Sequence, residues 1–309
     1  MNKKMITNLE ALDGYLKKID RIFPIQELIG SQINHAKITK YYKDSFSGYK
    51  YIHSRSGAVH MALNYDGKFD REGFYTQVKE IHQMIQERPV QDVLELGCGQ
   101  GFNSIYLAKL LPEVQFQGVD ITQKHLDAAT KKARGISNVC FDYGDFQQLQ
   151  FPDNHFDLIF ELEAVCHAND MRQALSEIHR VLKEGGQAVL YDGYRSAHFE
   201  NLTASLKTAT QLTEKSMAVE RFIQIDQWIK IAEEVGFKIR IQDNLSEAIM
   251  PSLEYLQGWA RGYYKYYTLS KFFNQVLPRD LVMNSIAGIL MPFVVHHEAL
   301  VYYKVVLEK

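Results

Sequence analysis

A glycine-dense turn constrains this chain more than any other feature. Val93-Leu94-Glu95-Leu96 is a short apolar run, Gly97-Cys98-Gly99-Gln100-Gly101 follows at once, and Phe102–Leu110 has helical spacing. Glycines between a strand and a helix let backbone approach a ligand closely and present free N–H groups at a helix start. The spacing is GxGxG with Phe at position 102, not the GxGxxG of a dinucleotide site, and no Lys follows as in a phosphate-binding P-loop. Nicotinamide and nucleoside-triphosphate readings are demoted accordingly.

The surroundings of the turn predict an α/β architecture. Strand-like runs at Val93–Leu96, Phe116–Asp120, Val139–Tyr143, Leu158–Leu162 and Gln187–Tyr191 alternate with helical patterns at Phe102–Leu110, Gln123–Arg134 and Met171–Leu182. Gly185-Gly186 reads as the stop of the last helix. Such alternation predicts a parallel sheet with right-handed crossovers. A helix at Trp228–Val235, a sixth strand at Phe237–Ile241 and a final run at Ala299–Leu307 complete the set. The long gap before the final run exceeds any hairpin loop and predicts a helical insertion. Upstream, Leu9, Leu12, Leu16, Ile19 and Phe23 form one helical stripe that Pro24 ends or bends. Residues 36–75, rich in Tyr, Gly, Ser and His, read as loop-dominated with short helices.

Two acids stand where a nucleoside would need them. Asp120 closes the second strand and can accept from two ribose hydroxyls; Asp145, in Tyr143-Gly144-Asp145-Phe146, can accept from an adenine amino group while Phe146 packs on the base. With the turn Glu95–Gly101, these motifs resemble, in order, those of class I S-adenosylmethionine-dependent methyltransferases, over about residues 90–242 and the last strand. The resemblance implies a Rossmann-like sheet of seven strands, mostly parallel with the last antiparallel, plus a helical cap. It implies S-adenosyl-L-methionine as cofactor, S-adenosyl-L-homocysteine as product, and no metal. It places Glu95 on the cofactor's amino group, Gly97, Cys98, Gly99 and Gly101 at its methionine part, Asp120 on the ribose, and Ile121, Asp145 and Phe146 at the adenine. Cys98 reads as a small turn residue, with no basic neighbour in sequence to activate it as a nucleophile.

After the fourth strand, Glu163-Ala164-Val165-Cys166-His167-Ala168 resembles the segment that sterol 24-C-methyltransferases carry at this point. Tyr41-Tyr42 and Tyr49 resemble the aromatic segment before the core of the same group, although Gly48–His53 lacks its Tyr-Gly-Trp-Gly run. The resemblance implies C-methylation of a small, largely apolar acceptor, sterol-like or isoprenoid. Glu163 and His167 are the candidate catalytic residues, since they follow the carboxyl end of a central strand. A buried Glu163 would have a raised pKa and could take a proton; a structural hydrogen bond is the other reading of His167. Glu161 and Tyr41 are assigned to the cofactor pocket. Residues 251–309 hold 11 aromatics, a density well above the 12% of the chain. Tyr255, Trp259 and Tyr263 fall on one helical face, either packed on the sheet or forming a lid; Tyr49, Trp259 and Tyr263 are the candidate acceptor contacts. His296-His297, read as leading into the last strand, would point different ways there and share no metal.

Composition excludes other classes. The chain has 309 residues and a net charge of −2, with no Lys/Arg run, so neither nucleic acid nor an anionic surface is addressed by its overall field. Three cysteines without CxxC spacing fit reduced thiols rather than disulfides or zinc. Lys3 and Lys4 precede Thr7, Asn8 and Glu10, not an apolar run, and Ile286–Val295 is too short to span a bilayer; a cytoplasmic protein is expected. Three regions are expected: a cap segment (1–88), a cofactor-binding core (89–245 and 298–309), and a helical aromatic insertion (246–297). The alternatives are O- or N-methylation of a polar small molecule and, in another class, a non-enzymatic lipid or partner binder. The composition is compatible with a homo-oligomer.

Overall fold

The computed structural model describes residues 5–48, 53–54 and 56–309. Seven strands form one sheet: β1 (Asp92–Leu96), β2 (Gln115–Asp120), β3 (Val139–Tyr143), β4 (Phe156–Leu162), β5 (Leu182–Arg195), β6 (Lys238–Asn244) and β7 (Leu300–Glu308), in the order β3-β2-β1-β4-β5-β7-β6. The pairs among β3, β2, β1, β4 and β5 are parallel, and β7 is antiparallel to both β5 and β6. This is the expected seven-stranded architecture. Leu94, Leu158, Val189 and Val305 are wholly buried, as central strands covered on both faces require. The chain moves outward from β1 to β3 and then returns to β4 beside β1. That reversal opens a crevice at the carboxyl ends of β1 and β4, where ligands of open α/β sheets bind.

Helices α1 (Leu9–Asp20), α2 (Ile25–Ile29) and α3 (His35–Gly48) precede the sheet, with α4 (Thr76–Gln86) leading into β1. Helices α5 (Phe102–Leu110), α6 (Gln123–Lys132), α7 (Met171–Val181), α8 (Ala204–Ser216) and α9 (Ile225–Val235) follow, and α10 (Ser246–Tyr263), α11 (Tyr267–Val276) and α12 (Arg279–His296) fill the insertion. The first stripe breaks before Pro24, which starts α2. Expectation and structure part at α3: a 14-residue helix runs through the start of a segment read as loop-dominated with short helices. Its buried residues Ile38, Tyr41 and Ser45 recur at helical spacing, but two of the three carry hydroxyls, and the intervening Thr39, Lys40, Lys43 and Asp44 mask the stripe. Gly185-Gly186 are not a helix stop; they lie inside β5, where Gly185 takes φ +71°. His296-His297 sit at the C-terminal end of α12 rather than at a strand, and a ring N–H of His297 donates to Thr7 O at 2.7 Å. Helix α12 is apolar nearly all round, with Ile286, Ile289, Leu290 and Phe293 wholly buried, because it is enclosed by other helices. No described helix is long and apolar enough to cross a membrane.

Candidate active site

A cavity of about 590 Å³ opens at the β1/β4 crevice and extends under α3, α10 and α12. At one end is the glycine turn, with Gly97, Gly99 and Gly101 at φ +62°, +51° and +73°. Gly97 and Gly99 reach the cavity wall. Gly101 serves packing instead: a Cβ there would stand 2.6 Å from Phe141 Cζ. Cys98 is buried behind the turn, and burial first, then the nearby Glu95 and Asp120 charges, raise its thiol well above the usual range. It is no nucleophile as it stands.

Glu95 differs from expectation. It is not among the cavity-lining residues; its Oε1 accepts from Asn103 Nδ2 at 2.9 Å and its Oε2 from Ser104 N at 3.1 Å and from the Ser104 hydroxyl. Burial pushes its carboxyl up to about 7 against those hydrogen bonds. It ties β1 to the start of α5, where unsatisfied N–H groups favour a carboxylate.

Asp120 lines the cavity as expected of a ribose ligand. Its Oδ2 accepts from Gly99 N at 2.9 Å and its Oδ1 from Thr122 N at 2.7 Å. Burial opposes ionisation, but the His125 ring 3.9 Å away and those two N–H groups hold the carboxyl below its usual value. Each oxygen keeps acceptor capacity for a hydroxyl. Ile121, Asp145 and Phe146 line the same end, and Asp145 Oδ1 accepts from Gln147 N at 2.8 Å. Tyr41 lines it from α3, with its hydroxyl donating to Asn284 Oδ1 at 2.6 Å.

Glu163 lines the same cavity. It takes φ +58°, a left-handed conformation that is strained for a non-glycine residue. Its Oε1 accepts from Met61 N at 2.6 Å and from the Tyr302 hydroxyl at 3.0 Å. Burial pushes its carboxyl up to about 8, these two donors opposing and Asp192 adding to the rise. Glu161 is corrected: it does not line the cavity. Its Oε2 accepts from Ala164 N at 2.7 Å and Val165 N at 3.3 Å, bracing the turn that carries Glu163. Its Oε1 is buried without a hydrogen-bond partner, and burial, then the Asp192 charge, raise its carboxyl well above the usual range.

His167 lines the cavity with both ring nitrogens engaged. Its Nδ1–H donates to Ala218 O at 3.0 Å and its Nε2 accepts from the Tyr42 hydroxyl at 2.8 Å. Burial lowers it to about 4, so the ring is neutral. The structural reading of His167 fits this geometry better than that of a free base.

The far end is apolar. Leu256, Ala260 and Tyr263 of α10 face Val282, Ala287 and Met291 of α12 across it. The helices approach closely at Gly288, where a Cβ would meet Ala260 Cβ at 3.2 Å. Trp259 lines the mouth and is largely exposed; the Tyr263 hydroxyl donates to Ser270 O at 3.2 Å. Tyr49 lies outside the described residues. Met61, Asp192, Asn284 and Tyr302 also reach the cavity and went unnoticed in the sequence. Asp192 had a signal, as an acid followed by Gly toward the carboxyl end of a strand, and Tyr302 belongs to the aromatic-dense segment 251–309. Among the described residues, no group of three or more His, Cys, Asp or Glu side chains could hold a metal ion.

Residues 93–186 match a family model described as a methyltransferase domain. The chain is 26% identical over 216 residues to a sterol 24-C-methyltransferase of Yarrowia lipolytica, a match covering 69% of this chain and 56% of that one. It spans about three-fifths of the length of the curated relatives it matches. Among solved structures, the cyclase SpnF superposes with a TM-score of 0.71 at 18% identity, over 90% of this chain and 98% of that one. A geranyl diphosphate methyltransferase, solved with GPP and sinefungin, gives 0.64 at 12%, over 87% and 98%. The cofactor of this fold is S-adenosyl-L-methionine, and the residues present fit it: Gly97 and Gly99 form a wall without side chains, and Asp120 offers ionised acceptors beside it. By its sheet order, its glycine turn and the match over residues 93–186, the chain carries a methyltransferase domain on a Rossmann-like seven-stranded sheet.

Proposed function

We propose that this chain transfers a methyl group to carbon of a small, largely apolar acceptor, sterol-like or isoprenoid. The observation that carries the reading is the continuity of one cavity, whose wall includes Asp120, the glycine turn, Glu163 and apolar residues of α10 and α12. The names of the sterol methyltransferase relative and of the geranyl diphosphate methyltransferase neighbour support the acceptor class.

The bound cofactor supplies a methyl group already activated on a sulfonium. The protein's residues have three tasks. Asp120 holds the ribose hydroxyls while Ile121, Asp145 and Phe146 enclose the base. The apolar wall excludes water and aligns the acceptor. Methyl addition to an alkene leaves positive charge on the neighbouring carbon, which aromatic faces such as Tyr263 stabilise; Glu163 then takes the adjacent proton at a carboxylate oxygen. A carboxyl at about 8 is mostly protonated at neutral pH, and positive charge entering the cavity favours its ionised form.

The test is label transfer from methyl-labelled S-adenosylmethionine into a metabolite extract, followed by phase separation and mass analysis. Label in the organic phase that is lost with Glu163→Gln supports the reading. Label in the aqueous phase assigns a polar acceptor and O- or N-methylation, or a prenyl diphosphate. Absence of cofactor binding removes the enzyme reading and leaves a lipid or partner binder.

A further inference from the structure

Helix α11 turns an apolar stripe outward. Leu269, Phe272 and Val276, at spacings of three and four, are 45%, 55% and 56% exposed. Ser270, on the inward side, is buried, and its hydroxyl donates to Tyr266 O at 3.0 Å. The helix is thus amphipathic with its apolar side toward solvent, the reverse of a helix packed on a core. Tyr266 and Tyr267 extend the patch. Contiguous apolar surface of this kind marks an interaction site.

The charge around the stripe selects the partner. From Tyr255 to Arg279 the chain carries Arg261, Lys265, Lys271 and Arg279 and no Asp or Glu, although the whole chain is at −2. Lys265 Nζ lies 4.9 Å from the centre of the Tyr266 ring, and Lys271 Nζ lies 5.7 Å from that of Tyr267. Cations beside aromatic rings at the rim of an apolar face suit an interface between hydrocarbon and anionic headgroups.

The cavity opens at the same place. Trp259 and Leu277 both line it and are 59% and 41% exposed, and Phe273, adjacent to Phe272, lines it from the inner side of α11. We propose that α11 and the residues flanking it dock this chain on an anionic lipid bilayer, lying in the interface without spanning it, so that the cavity mouth faces the hydrocarbon. An apolar molecule dissolved there would enter without crossing water. The proposal deepens the acceptor reading above and rests on it for its purpose, but docking itself is measured without turnover.

The experiment is flotation of the full chain with phosphatidylcholine vesicles, with and without phosphatidylglycerol, at low and high salt. The variant Leu269→Glu/Phe272→Glu/Val276→Glu alters the exposed stripe and spares the cavity; retained S-adenosylmethionine binding shows that it is folded. The wild type floats with the anionic vesicles and less so at high salt, and the triple variant loses about 100-fold in partitioning. Lys265→Gln/Lys271→Gln loses about 25-fold on anionic vesicles and little on neutral ones. Lack of flotation by the wild type, or undiminished flotation by the folded triple variant, overturns the proposal. So does a lipid-free dimer, seen by sedimentation velocity, that the triple variant dissociates, since the stripe then belongs to a second copy. Vesicle docking with label only on an aqueous-phase product whose mass excludes a prenyl diphosphate overturns the acceptor reading and leaves docking standing.

Discussion

Replacing Glu163 with Gln should stabilise the fold at alkaline pH while abolishing proton transfer. An ordinary glutamate titrates at 4.5, and Glu163 is pushed up to about 8. Because folding raises the value, the folded chain keeps a proton through that interval which the unfolded chain has released. The contribution to stability is therefore intact below about pH 4.5 and falls as pH rises toward 8. The full shift corresponds to a loss of about 5 kcal/mol once the group is ionised. That figure is a ceiling, because Glu163 is partly open to the cavity and water there offsets some of the burial. Gln cannot ionise, and its carbonyl can still accept from Met61 N and the Tyr302 hydroxyl. Urea unfolding of both chains at a series of pH values reads the difference directly. Glu95 and Asp192, pushed up to about 7 and about 6, titrate in both chains and largely cancel. The two stability curves should lie together near pH 5 and diverge by up to about 5 kcal/mol near pH 9, with Glu163→Gln the more stable. Methyl transfer should fall by about 10²–10⁴-fold. Parallel curves at all pH values would refute the raised value of Glu163 and the burial on which it depends.

Asp120→Ala should weaken S-adenosylmethionine binding by about 1–3 kcal/mol in equilibrium dialysis, and an unchanged affinity sinks the ribose assignment. Tyr302→Phe removes a donor that favours the Glu163 carboxylate; the acid limb of the pH–rate profile should move to higher pH, and a profile that merely drops without moving would make Tyr302 structural only. Gly101→Ala should cost more than Gly135→Ala on urea unfolding. Both have φ near +80°, at +73° and +85°, which carries about 1–2 kcal/mol of strain for Ala, but only Gly101 has an atom within 3 Å of the added methyl. Equal losses would show that Phe141 gives way freely.

Much of the cavity wall beside the glycine turn was legible in the sequence because it is local. The Gly97–Gly101 turn, Asp120, and Asp145-Phe146 each sit within a few residues of a strand end, and strand register carries them to one crevice. The helical face with Trp259 and Tyr263 was also readable, since a period of 3.6 needs no partner. Residues 35–48 were not, because the stripe of α3 includes Tyr41 and Ser45 and becomes a buried face only when α12 lies against it. Glu95 and Glu161 show the same limit at the level of single side chains. Both are strand acids at the right positions, yet one is drawn to Asn103 and Ser104 and the other to the N–H groups of Ala164 and Val165. The environment of Glu163 is the clearest case. Its two donors lie 102 and 139 residues away in the chain, and its proton affinity depends on burial that no neighbour in sequence provides. Sequence periodicity and turn chemistry carry the order of the elements and the residues at strand ends that line the cavity, because these depend on backbone geometry over a few residues. Which acids face the cavity, which hold a proton and which merely brace a turn depends on desolvation and on partners brought from distant segments, and those exist only once the chain is packed.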